Sequence, residues 1–220
     1  MTSSSAAGLN PASGALSRLR ARLPVVSNPL RPLLLAAGRS ARLQRLVTGL
    51  PVTRTVVHRY VPGERQDAVV AATREILASG RSISIDHLGE DTSDPAQAEA
   101  TVQAYLALLE AFGHLDVPAG RPVPALEVSL KLSALGQFIP EVGHDLALTN
   151  ARRVCRAADA VGAWVNVDAE DHTTTDSTLA IVRELRVDHP CVATVLQAYL
   201  RRTEADCRAL ATAGSRIRLC

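Results

Sequence analysis

From residue 64 onward the chain repeats one rhythm: a short β-branched apolar run, then a longer stretch with apolar residues at helical spacing. Strand followed by helix, repeated at intervals of about 20 to 45 residues, implies parallel strands joined by right-handed helical crossovers, since a hairpin cannot join a parallel pair. All-helical bundles and antiparallel sandwiches are thereby set aside.

The units are explicit. Glu64 to Leu77 carries Ala68, Val69, Ala72 and Ile76 on one helical face, with Gly80 as its stop. Ser82 to Leu88 alternates as a strand, and Asp94-Pro95 supplies the N-cap and first residue of a second helix buried through Val102, Tyr105, Leu106, Leu109 and Phe112. The run Leu126 to Leu132 precedes a helix whose inward positions are Leu148, Ala151, Val154, Cys155 and Ala158, closed by Gly162. Strands at Ala163 to Val167 and Val192 to Gln197 alternate with helices at Ser177 to Arg186 and Thr203 to Ala213; after Gly214, Arg216 to Cys220 is a fifth, buried strand.

An open doubly wound sheet and a (β/α)8 barrel both satisfy this order. The open nucleotide-binding sheet carries a Gly-x-Gly-x-x-Gly or phosphate loop, and neither is present. The strands instead end in polar groups: Asp86, Lys131, Asp168, Gln197, and Arg218 inside the last run. In a TIM-type barrel those ends ring one active-site mouth. The reading is therefore an α/β (β/α)8 barrel. Five strands out of eight leave the expectation of a barrel truncated after the fifth, preceded by a helical arm.

Composition narrows the function classes. With 47% hydrophobic and 21% charged residues among 220, the chain is an ordinary globular protein, and a formal net charge of +2 gives no reason to expect nucleic acid as a partner. No apolar run approaches the roughly 20 residues of a membrane span. The charge imbalance is local: nine arginines precede Glu64, the first acid. Residues 1 to 28, rich in Ser, Ala and Arg, read as a loose basic extension rather than a transit peptide, because the Arg and Ala bias runs along the whole chain. Residues 29 to 63 read as a helical arm and 64 to 220 as the barrel domain. The cysteines, Cys155, Cys191, Cys207 and Cys220, lack Cys-x-x-Cys spacing; three lie in segments that read as buried, as small core hydrophobes in a reducing cytoplasm.

Of the 24 basic residues only Lys131 is a lysine. A position that keeps an ammonium where arginine is otherwise used calls for a compact point charge with a tunable pKa. At a strand tip it fits carboxylate binding, a cofactor contact, a Schiff-base nucleophile, or simple snorkelling to water. The run Asp168-Ala169-Glu170-Asp171-His172 fits either a helix N-terminal region or a metal site through Asp168, Glu170 and His172, and Thr173 to Asp176 favours the former. Gln197 suits an amide-like ring edge or a loop cap. Arg218, between Ile217 and Leu219, needs an anion, for which Asp168 is the candidate.

The segments SIDHLGE (84 to 90), VSLKLSALG (128 to 136), VDAEDHTTTDSTL (167 to 179), VLQAYLRRTEADC (195 to 207) and GSRIRL (214 to 219) resemble, in order, the strand-end motifs of the single-function bacterial proline dehydrogenases. The resemblance spans residues 64 to 220, and residues 51 to 63 are compatible with that family's helical lead-in. It implies a distorted barrel that binds FAD, oxidises L-proline to Δ1-pyrroline-5-carboxylate and passes electrons to a membrane quinone, in the cytoplasm or against the inner face of the membrane. Carried over by position, Asp168 and Arg218 are catalytic, Lys131 and Asp86 lie on the substrate side, and Ala169, Gln197 and Arg218 contact the flavin; no metal is implied.

The family's last motif continues into a Lys-Gly-Ala-Tyr segment and a later helix with paired arginines, beyond Cys220. The expectation is therefore weak flavin binding and little turnover by these 220 residues. Two rival readings stand beside this one. One is a Schiff-base or metal-dependent lyase on the same barrel, using Lys131 or the Asp168 to His172 cluster. The other is a non-catalytic chain that associates with itself through an open barrel edge.

Overall fold

The computed structural model describes residues 65–89, 91–117, 124–211 and 214–220. The expectations for residues 1 to 28 and 29 to 63 lie outside these.

Five strands, β1 (Ile83–Asp86), β2 (Leu126–Leu130), β3 (Trp164–Val167), β4 (Ala193–Leu196) and β5 (Ile217–Leu219), form one sheet in sequential order. Every neighbouring pair is parallel. Between and before them lie α1 (Gln66–Ala78), α2 (Pro95–Phe112), α3 (Gly143–Ala160), α4 (Thr175–Asp188) and α5 (Thr203–Leu210), with a 3-10 turn at His172–Thr174 leading into α4. Sequential parallel order is what each crossover produces when every helix packs on the same side.

Local chemistry sets the boundaries. Asp94 caps α2 through its side chain, which accepts from the Ala96 amide at 2.9 Å, and Pro95 fills the first helical position where no amide partner is needed. Gly80 and Gly162 follow α1 and α3 with φ of +82° and +67°, in the left-handed region that glycine enters freely.

The core lies between the sheet and its helices. Val128, Leu130, Val165 and Val167 meet Val102, Leu109 and Phe112 of α2 and Ala151, Val154 and Ala158 of α3, all buried. At roughly 25 cal/mol per Å2 of apolar surface, this packing is the main source of stability. Residues alternating with these, Glu127 and Ser129 in β2 and Trp164 and Asn166 in β3, therefore point away from the helices.

Three expectations are corrected. The fifth strand is an edge of the described sheet and is not buried: Leu219 is 60% exposed and the Arg218 side chain 46%. Of the cysteines only Cys155 is buried; Cys191 and Cys220 are exposed and Cys207 intermediate, because Cys191 sits in the turn before β4 and Cys220 beyond β5. Leu106 is only partly buried, since it lies off the α2 face that carries Val102 and Leu109.

Candidate functional site at the carboxyl end of the sheet

The register aligns the polar residues in rows. Asp86 pairs with Ser129 and Ser129 with Asn166; the ladder runs one step further, as the Asp168 amide donates to the Leu130 carbonyl at 2.9 Å. Paired residues of parallel strands share a face, so Lys131 and Asp168 emerge side by side. Val195 pairs with Arg218, which brings β5 into the same row.

On that face Lys131 Nζ lies 2.8 Å from Asp86 Oδ2, with the lysine side chain 18% exposed. Asp168 Oδ1 accepts from Ser129 Oγ at 2.7 Å and Asn166 Nδ2 at 2.8 Å, and Arg218 Nη1 stands 3.6 Å from the same oxygen. Burial pushes the Asp168 carboxyl above the ordinary carboxylate range; the Ser129 bond opposes this, Asp86 adds to it, and Arg218 and Lys131 oppose it more weakly. Beneath Asp86, the buried Tyr105 hydroxyl of α2 donates to the Ser129 carbonyl at 2.6 Å and accepts from the His87 amide at 3.1 Å.

Arg218 has a nearer partner than Asp168. Its Nη2 donates to Glu127 Oε1 at 3.2 Å, and Glu127 also accepts from Arg216 Nη2 and from Ser84 Oγ at 2.8 Å. Arg216 lies over Trp164, its guanidinium carbon 3.4 Å from the ring centroid. β2 and β5 are three strand spacings apart, about 14 Å along a flat sheet. Glu127 can meet both arginines only because the sheet curls toward its polar face, the curvature that a barrel wall requires.

Of the residues expected from sequence, Asp86, Lys131, Asp168 and Arg218 come together on this face. Gln197 does not join them through its amide nitrogen, which donates to the Glu170 carbonyl at 2.9 Å. It and Ala169 instead line one small cavity with Val195 and Leu200. The Asp168, Glu170 and His172 side chains diverge: Glu170 turns to Ser133 and His172 stands exposed beside Asp171. Among the described residues no group of three or more His, Cys, Asp or Glu side chains could hold a metal ion. Sequence reasoning missed Glu127, Ser129, Asn166, Trp164 and Arg216. The available signal was period-two alternation: Glu127, Ser129 and Lys131 are two apart, as are Trp164, Asn166 and Asp168.

A curled parallel sheet with helices on one side and a charged cluster at its carboxyl end defines an α/β protein of the TIM-type barrel class. The proline dehydrogenase family profile matches residues 69–218, and the chain belongs to that family. It is similar to the proline dehydrogenase of Deinococcus radiodurans, 36% identical over 155 residues, which cover 69% of this chain and 47% of that one. Proline dehydrogenase 1 of Bacillus subtilis is 28% identical over 167 residues, covering 76% of this chain and 52% of its own. The chain thus spans about half the length of these curated relatives. Among solved structures, proline utilization A from Bdellovibrio bacteriovorus superposes with a TM-score of 0.65 at 22% identity, over 76% of this chain and 20% of that one. The corresponding protein of Bradyrhizobium japonicum gives 0.57 at 24%, over 81% and 21%. These likenesses concern the fold. Among the described residues no helix is long and apolar enough to cross a membrane.

Proposed function

We propose that the cluster around Asp168 is the site of a flavin-dependent oxidation of L-proline to Δ1-pyrroline-5-carboxylate. The observation that carries this reading is the convergence of one ammonium, Lys131, and one guanidinium, Arg218, with Asp168 at the strand ends of a chain of this family.

The donor set fits FAD. Lys131 and Arg218 bear only N–H donors, and Arg218, about half exposed, retains a solvent-facing side while Glu127 and Asp168 hold it. Such donors suit the electron-rich edge of an isoalloxazine ring. FAD, when bound, supplies an acceptor for the hydride that leaves C5 of proline.

The chain's own residues then have distinct tasks. Arg218 and Lys131 provide a fixed positive field where negative charge develops, with no reorganisation needed at the moment of reaction. Asp168, itself held by Ser129 and Asn166, orients Arg218. Asp86 keeps Lys131 in place on the substrate side. Ala169 and Gln197 would border the cofactor, as membership of the family implies. Electrons would pass to a quinone reached by peripheral contact with the inner face of the membrane, from the cytoplasm.

The test is the visible spectrum of the purified protein after incubation with FAD. At saturating FAD, flavin bands that bleach slowly on anaerobic addition of L-proline are expected, with weak binding. A protein that takes up no flavin even at saturating FAD, or whose bands are indifferent to proline, overturns the reading. A borohydride-trapped adduct on Lys131 or a stoichiometric metal would favour lyase chemistry instead.

A further inference from the structure

The loops at the carboxyl end are cross-tied at a point outside the charged cluster. Glu170 lies two residues beyond Asp168. Its Oε1 accepts from Ser133 Oγ at 2.5 Å and its Oε2 from the Ser133 amide at 3.0 Å, while its backbone carbonyl accepts from Gln197 Nε2 at 2.9 Å. Ser133 is fully buried and carries the tie one strand further: its Oγ accepts from the Asp91 amide at 3.3 Å, and its carbonyl from the Thr92 amide at 3.2 Å. The Glu170 side chain thus joins the segment after β3 to that after β2, Ser133 carries the tie on to the segment after β1, and Gln197 attaches the segment after β4 through the Glu170 backbone.

We infer that Glu170 is a positioning residue whose side chain holds Lys131 and Asp168 in mutual register without touching the reacting groups. As it bears on catalysis, this rests on the function proposed above.

Two features carry the inference. The first is the form of the contact. A carboxylate that accepts both from the amide and from the hydroxyl of one residue fixes that residue's rotation as well as its distance, and an ionised acceptor makes both bonds strong. Ser133 is two residues from Lys131, so fixing its peptide fixes the stem from which the ammonium reaches Asp86. The second is that Glu170 is not needed by the 3-10 turn it precedes, the turn that leads into α4. Asp171 caps that turn, its Oδ1 accepting from the Thr173 amide at 2.8 Å and the Thr173 hydroxyl at 2.7 Å. An acid serving only the helix terminus would turn toward α4, whereas Glu170 turns across to the β2 loop. Strand-end groups drawn from separate segments lose about 100-fold in rate for a displacement of 1 Å, so a tie of this kind has catalytic consequence.

The test compares Glu170→Ala, Glu170→Gln and Asp171→Ala with the wild-type protein. FAD dissociation constants are read by flavin fluorescence, and amide hydrogen exchange at Ser133, Asp91 and Thr92 by NMR or mass spectrometry. Glu170→Ala is expected to weaken FAD binding by about tenfold or more and to speed exchange at all three amides. Glu170→Gln, whose amide oxygen still accepts one bond from Ser133, should recover part of both effects, and Asp171→Ala should leave FAD binding within about twofold. Wild-type FAD affinity in Glu170→Ala overturns the inference, as does an equal loss in Asp171→Ala, which would mark general loosening of the loop. Should the wild-type protein itself bind no FAD, the functional reading fails. Exchange then decides alone: acceleration confined to the Glu170 variants upholds the loop tie, and unchanged exchange overturns it.

Discussion

Arg218 of β5 and Glu127 of β2 form an ion pair at 3.2 Å across two intervening strands. Glu127 simultaneously accepts from Arg216, and its side chain is only 15% exposed, so one carboxylate is shared by two guanidinia on the polar face. Removing it leaves both cations without their nearest anion in a partly desolvated place.

Glu127→Gln is therefore expected to destabilise the fold by about 2 kcal/mol, less than the loss for a fully buried pair because the arginines are partly exposed. Trp164, the single tryptophan, lies under Arg216 and reports the change directly. Urea unfolding with fluorescence detection should show a lower midpoint and a shifted native emission spectrum; an unaltered spectrum would mean that the stack does not depend on Glu127.

Asp168 gives stability a pH dependence of unusual sign. Its folded-state pKa is raised, first by burial, so the folded protein holds this proton more tightly than the unfolded chain does. The associated stability is present at pH below the unfolded carboxylate value and is lost as pH rises through the raised folded value. Melting temperatures of wild type and Asp168→Asn, measured from acid to neutral pH, should differ by an increasing advantage of the asparagine variant. Activity should fall by about 100-fold in the same variant, since Arg218 loses an anchoring charge. A difference in melting temperature that does not vary with pH would refute the linkage.

The Glu99 and Arg153 pair of α2 and α3 shows the opposite sign. Arg153, with help from Gln103, holds the Glu99 carboxyl down to about 2. Whatever stability the pair contributes is present above the ordinary glutamate range and is lost as pH falls toward that value. Chemical-shift titration of Glu99 in wild type and Arg153→Ala checks this: the midpoint should rise in the variant.

Gly143 opens α3 against the loop that follows Lys131. A Cβ there would lie 2.3 Å from the Gln137 carbonyl oxygen, and backbone cannot yield as a side-chain tip can. Gly143→Ala should cost about 1–3 kcal/mol by overpacking, whereas Gly89→Ala, whose nearest new contact is at 3.8 Å, meets no such clash. Chemical denaturation distinguishes the two; equal stabilities would show that the loop can move aside.

The cysteines should separate by reactivity. Burial pushes the Cys155 thiol up to about 12, which leaves almost no thiolate at neutral pH, while Cys191 and Cys220 are exposed. Iodoacetamide followed by mass spectrometry should label Cys191 and Cys220 in the native protein and Cys155 only after denaturation.

The alternation of strand and helix, the Asp94-Pro95 start of α2, the glycine stops and the set of polar strand ends are all local matters, readable from periodicity and capping chemistry. Four of the polar groups, Asp86, Lys131, Asp168 and Arg218, were legible as site candidates for the same reason. Glu127 was not, because in LEVSLKL it reads as an interruption of an apolar run. Nor was the Glu170 tie, since an acid beside Asp171 before a helix looks like a second capping group.

What the chain order determined by itself is thus which residues end each strand and which face they take, because alternation and helical period act over a few residues. Which anion holds Arg218, how far β5 is buried, and where Gln197 and Glu170 spend their hydrogen bonds were decided only by tertiary structure. Those outcomes depend on how strongly the sheet curls and on where loops from distant parts of the sequence meet. Curvature is a property of the whole sheet packed on its helices, and no single segment encodes it.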